Sequence, residues 1–102
     1  MEGTELIAFN IIASVGTARS SYIGAIDAAS EGNFEEAEKL IKEGQEAFTQ
    51  GHDAHAQLLT ETAQGEKVEM DLLLTHAEDQ LMSAEAFGIL AERFVTLYKK
   101  LG

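Results

Sequence analysis

The chain has 102 residues, 45% of them hydrophobic, with 18 acidic against 7 basic side chains and a formal net charge of −11. That length gives room for one domain, which buries roughly two-thirds of its unfolded surface at best, and the hydrophobic content implies a packed core and not disorder. The charge argues strongly against DNA, RNA or an anionic membrane surface as a partner, and suits partners that carry basic patches.

There is no cysteine, so disulfides and thiol catalysis are out, and no proline, which permits helices much longer than average. The N-terminal stretch MEGTELIAFNIIASVGTARS lacks a basic n-region and repeats its apolar positions with a helical period, so it does not read as a secretory signal. No run approaches the ~18 consecutive apolar residues of a membrane span. A cytoplasmic protein with no direct membrane insertion is expected.

A first helix is predicted from a Thr4 N-cap to about residue 31. Ile7, Ile11, Val15, Ala18, Tyr22, Ile26 and Ala29 recur at spacings of four and three, which puts them on one face. Ile12 and Ile23 widen the stripe beyond what one neighbouring helix covers. Gly16 and Gly24 inside the pattern suggest close helix approach. Gly32 then ends the helix, and Asn33 with Glu36 has the spacing of a capping box. Two long helices meeting at a Gly-Asn joint make a hairpin.

The second helix is predicted over about 33–64. Phe34, Ala37, Ile41, Gly44, Phe48, Gly51, His55, Leu58 and Thr62 form an unbroken heptad seam, while Glu35, Glu36, Glu38, Glu43, Glu46 and Asp53 belong in water. Gly65 is a natural stop. A third helix is predicted over about 66–101, closing with Lys99 and Lys100, whose charges favour a helix C-terminus.

The third helix is apolar on two sides. Val68, Leu72, Thr75, Met82, Ala86 and Ile89 form one stripe, with Asp79 lying in it; Leu73, Ala77, Phe87, Leu90, Phe94, Leu97 and Leu101 form another. A three-helix bundle covers only one of them, so the expected fold is all-α, three long antiparallel helices per subunit, assembled as a homo-oligomer around helix three.

The stretch LLLTHAEDQLMSA, Leu72 to Ala84, places His76, Glu78, Asp79 and Gln80 between apolar ends. Burying such groups without partners is costly, so they either meet partners or face water. His76 reads as a structural histidine with one hydrogen bond or as a nucleophile suited to neutral pH. Asp79, in a seam between copies of the chain, would meet its own copies and bind a cation, share protons or repel; if the stripe is misjudged by one position, it is merely exposed. His52 and His55 have a spacing that can hold zinc, but no Glu-x-x-His occurs, so the ligands of a ferritin-like di-metal bundle are missing. No phosphate-binding Gly-rich loop, G-x-S-x-G or H-E-x-x-H motif is present either.

Three blocks in order, GTARSSYIGAI (Gly16 to Ile26), EGNFEEAEKLI (Glu31 to Ile41) and LLLTHAEDQLMSA, together resemble the lactose/cellobiose (also chitobiose) type IIA component of the bacterial sugar phosphotransferase system. The resemblance covers nearly the whole chain. It implies a trimer packed as a nine-helix bundle. It also implies a phosphocarrier that accepts a phosphoryl group from HPr on a histidine and passes it to a cysteine of the cognate IIB component. Uptake of a lactose/cellobiose/chitobiose-type disaccharide then runs through the membrane partner IIC.

The family pattern His-(Ala/Gly)-Gln-Asp-His-Leu-Met puts the phosphorylated residue on His76. It puts on Asp79 an aspartate that sits on the trimer axis and can hold Mg²⁺ or another divalent cation. Glu78 stands for the usual Gln and Gln80 for the usual second His, as supports of the phosphoryl site. Gln80 can still donate a hydrogen bond to a phosphoryl oxygen. An ionised Glu78 would repel a phosphohistidine, so it is expected to be protonated, turned away or paired with a cation. His52 matches a family histidine, and His55 stands where glutamine is common. Arg19 is expected to anchor the bundle by pairing with a carboxylate of the third helix. The rival reading keeps the fold and drops efficient transfer, leaving a regulatory or protein-binding module.

Overall fold

The computed structural model describes residues 3–102 as three helices, α1 (Gly3–Ser30), α2 (Phe34–Ala63) and α3 (Leu72–Leu101), running up, down and up in a rod of 53 × 23 × 19 Å. Helices of 28 to 30 residues are each roughly 45 Å long at 1.5 Å per residue, which accounts for the long axis. α1 packs along both neighbours, whereas α2 and α3 meet over much less of their length. No helix among the described residues is long and apolar enough to cross a membrane.

The joint between α1 and α2 is specified locally. Gly32 adopts φ +82°, and the amides of Gly32 and Asn33 donate to the carbonyls of Ala29 and Ala28 at 3.0 and 2.9 Å, a Schellman closure of α1. Asn33 Oδ1 then accepts from the Glu36 amide at 3.4 Å to start α2. The amide of Asn33 is already used by Ala28, so only half of the expected capping box forms. Gly65 repeats the device at the end of α2, with φ +87° and the amide of Glu66 donating to Glu61.

Two helix starts differ from expectation. Thr4 lies inside α1, which already begins at Gly3. α3 begins at Leu72, not near Glu66: its N-cap is Asp71, whose carboxylate accepts from the Leu74 amide at 2.8 Å. An aspartate ahead of a leucine run is a stronger helix start than anything at 64–66. It also leaves 64–71 free to carry the chain across the end of the bundle. Val68 therefore packs against the core from this connection and not from a helical stripe.

Ile7, Ala8, Ile11, Val15, Leu58, Leu74, Ala77, Leu81 and Ala84 fill one half of the core; Ala18, Tyr22 and Ala91, then Ala29, Ala37 and Val95, continue it to the hairpin end. Small residues dominate because the helices lie close. Tyr22 wedges between Gly44 and Gly88, where a Cβ would fall 2.5 and 2.9 Å from its ring. Burial, and then the Glu92 carboxylate, push the Tyr22 phenol above its ordinary value of 10.0. Gly24 meets Leu40, but nothing approaches Gly16 within 4 Å, so close approach does not explain Gly16 within one protomer.

The buried face of α3 is a third one: Leu74, Ala77, Leu81, Ala84, Ala91 and Val95. Of the two anticipated stripes, only Ala77 is buried, with Val68, Leu73 and Phe87 half-buried. Leu72, Met82, Ile89, Leu90, Phe94, Leu97 and Leu101 are exposed, Leu72 by 87%. α3 is thus apolar nearly all round, and more of it stands uncovered than the two-stripe reading anticipated.

Candidate functional site

The site is built on the first three turns of α3. Asp71 satisfies one of the first free amides, that of Leu74, whose side chain, 1% exposed, sets which way the helix faces. With 100° per residue, His76 then points away from the core on the same side as Asp79 and Gln80, one turn further on. His76 and Asp79 are exposed and Gln80 is half-buried. Leu72 and Leu73 wall an apolar depression against the His76 ring. It is shallow and open, suited to the surface of another macromolecule more than to an enclosed small substrate.

Glu78 is separated from this group. It lies about 200° round the helix from His76, and its Oε1 is 2.7 Å from His55 Nε2 on α2. An ionised carboxylate only accepts, so with Glu78 ionised the bond takes its proton from His55 Nε2. Both side chains are partly covered, 18% and 31% exposed. Of the three expectations for Glu78, the structure shows it turned from His76 and bonded to an imidazole. Sequence reasoning did not anticipate this partner, which lies 23 residues away. His52 is exposed, its ring 6.2 Å from that of Phe48, and His55 is taken by Glu78, so the two do not converge as a zinc pair.

Arg19 does not pair with a helix-three carboxylate. Among the described residues the ion pairs are His55–Glu78 and Lys99–Glu38. Nor does any group of three or more His, Asp or Glu among the described residues converge on a metal position, so one protomer offers Asp79 as a lone carboxylate. A groove between α2 and α3, bridged by Gln45 to Glu92 at 2.7 Å, lies toward the hairpin end and away from His76.

The fold and the ring's surroundings define a class coarsely: an all-α rod of three long helices with a solvent-exposed histidine beside a carboxylate on α3. Comparison with known proteins places it more closely. Residues 6–99 match the family described as PTS system, Lactose/Cellobiose specific IIA subunit, and the chain belongs to that family.

The chain is 40% identical over 100 residues to the lichenan-specific phosphotransferase enzyme IIA component of Bacillus subtilis, covering 98% of this chain and 91% of that one. It is 34% identical over 96 residues to the lactose-specific EIIA component of Staphylococcus epidermidis, covering 94% and 92%. Among solved structures, the cellobiose-specific enzyme IIA from Bacillus anthracis superposes with a TM-score of 0.94 at 38% identity, over 99% of this chain and 94% of that one. PtcA from S. mutans gives 0.90 at 35%, over 97% and 99%. The chain is a phosphocarrier of the sugar phosphotransferase system, an EIIA component of the lactose/cellobiose-specific family, and that family works with HPr and a IIB component.

Proposed function

We propose that His76 is the residue that carries the phosphoryl group. A ring nitrogen of His76 attacks the phosphorus of phospho-HPr, and the bond to the donor breaks with its electron pair returning to HPr. The IIB cysteine thiolate then attacks the same phosphorus, and the electron pair of the phosphorus–nitrogen bond returns to the imidazole. Most of the work in such transfers is positioning and electrostatics. Leu72 and Leu73 give the ring an apolar flank, and Gln80, one turn along, is placed to donate to a phosphoryl oxygen. The observation that carries the assignment is the exposure of His76 on the capped start of α3, beside Asp79.

The uncovered apolar face of α3 supports a trimer packed as a nine-helix bundle around that helix. Where three copies meet, three Asp79 carboxylates could hold Mg²⁺ or another divalent cation, a fit that one protomer alone does not supply. Such a cation would offset the repulsion between like charges. A cytoplasmic location follows from partners that work there.

Incubation with phosphoenolpyruvate, enzyme I and HPr tests the carrier role. The expected result is a mass gain of one phosphoryl group that is lost in His76→Ala. A wild-type chain that takes no label favours the regulatory module, the reading that Glu78 and Gln80 keep in view. Sedimentation with and without Mg²⁺ tests the trimer, and a clean monomer at micromolar concentration rejects it.

A further inference from the structure

We infer that His55 is a positioning residue for transfer at His76, acting through Glu78. The inference rests on the carrier reading above and adds to it a residue on a different helix. Glu78 is two positions from the transferring imidazole and shares its helix turn. A carboxylate free to swing there would add negative charge near an incoming phosphoryl group that already carries it. The bond to His55 Nε2 at 2.7 Å holds that carboxylate on the α2 side.

Among the described residues the other polar ties between α2 and α3, Gln45 to Glu92 and Glu38 to Lys99, sit toward the hairpin end. At the site end, where α3 follows the eight-residue connection 64–71, the bond to His55 is the polar restraint on this carboxylate. His55 and Glu78 face each other across α2 and α3, each side chain partly covered.

The experiment is a rescue. His55→Ala is expected to slow transfer from phospho-HPr to His76 roughly three- to tenfold, the scale of one uncompensated charge near a partly solvated site. Adding Glu78→Gln to that variant removes the stray charge and returns the rate close to wild type. His55→Gln, which keeps a donor for the carboxylate, transfers close to the wild-type rate and covers the case in which the alanine variant folds poorly.

His55→Ala at the wild-type rate, or a double variant as slow as the single one, overturns the inference, since a purely structural loss would not be repaired by a second substitution. A wild-type chain that takes no label removes the carrier reading instead. The imidazole resonances of His76 in the unphosphorylated protein then decide the positioning: displaced in His55→Ala and restored in the double variant supports it, and unmoved in both overturns it.

Discussion

At the hairpin end, α1 passes into α2 through three residues, with Gly32 in its left-handed conformation and the neighbouring amides all bonded. A little further in, one tyrosine ring locks against glycines of both other helices. At the opposite end, eight residues separate α2 from α3, and Leu59, Met70 and Leu72 are left exposed. There α3 is held by an aspartate cap, by its buried leucines and by one imidazole–carboxylate bond. His76 stands at this second end. On the proposed carrier role, a group reached by two different proteins needs open surface around it, and the rest of the rod supplies the rigidity.

Three substitutions probe that contrast. The largest effect is expected for Gly44→Ala at the locked end, because the new methyl would fall 2.5 Å from the Tyr22 ring, which Gly88 blocks from behind. A loss of about 1–3 kcal/mol by denaturant unfolding is expected, outweighing the roughly 1 kcal/mol that alanine gains over glycine in a helix. No change in midpoint would mean that the ring is not wedged. At the site end, Asp71→Ala should cost about 1 kcal/mol and speed hydrogen exchange at the Leu74 amide ahead of the rest of α3. Uniform exchange along α3 would count against a distinct, locally held start. The smallest effect is expected for Gly16→Ala, which meets nothing within 4 Å and should gain about 0.5–1 kcal/mol. A loss there, with altered sedimentation, would place a neighbouring chain against α1.

The hairpin end was also the more readable in the sequence. Gly32, Asn33 and the heptad seam of α2 are local signals, and the structure follows them because turn chemistry acts over a few residues. α3 was harder on two counts. The segment Glu66–Met70 has a helix-compatible composition, and the cap at Asp71 was passed over. Its buried face is built on quiet residues, Ala77, Ala84 and Ala91, while larger side chains on the outer faces dominate any periodicity count. With apolar residues nearly all round, spacing alone cannot choose a direction. His76 and Asp79 stand out as candidates in the sequence because their motif is contiguous. The His55–Glu78 bond does not, since it depends on how two helices align side chains that lie 23 residues apart in the chain. Arg19 looked like an anchor for want of other basic residues on its helix, and the protomer makes no such pair.

The brevity of the joint at Gly32 bears on how the chain comes to its shape. A loop of three residues costs little entropy to close, and synthesis delivers α1 and α2 before α3. The first two helices are thus expected to zip into a platform before the third lays down on it. Pulse-labelled exchange during refolding would read this as amides near Ala25 and Leu40 shielded earlier than those near Leu90, and simultaneous shielding would refute it. The stretch that bears His76 would then be the last to arrive, onto a foundation already standing.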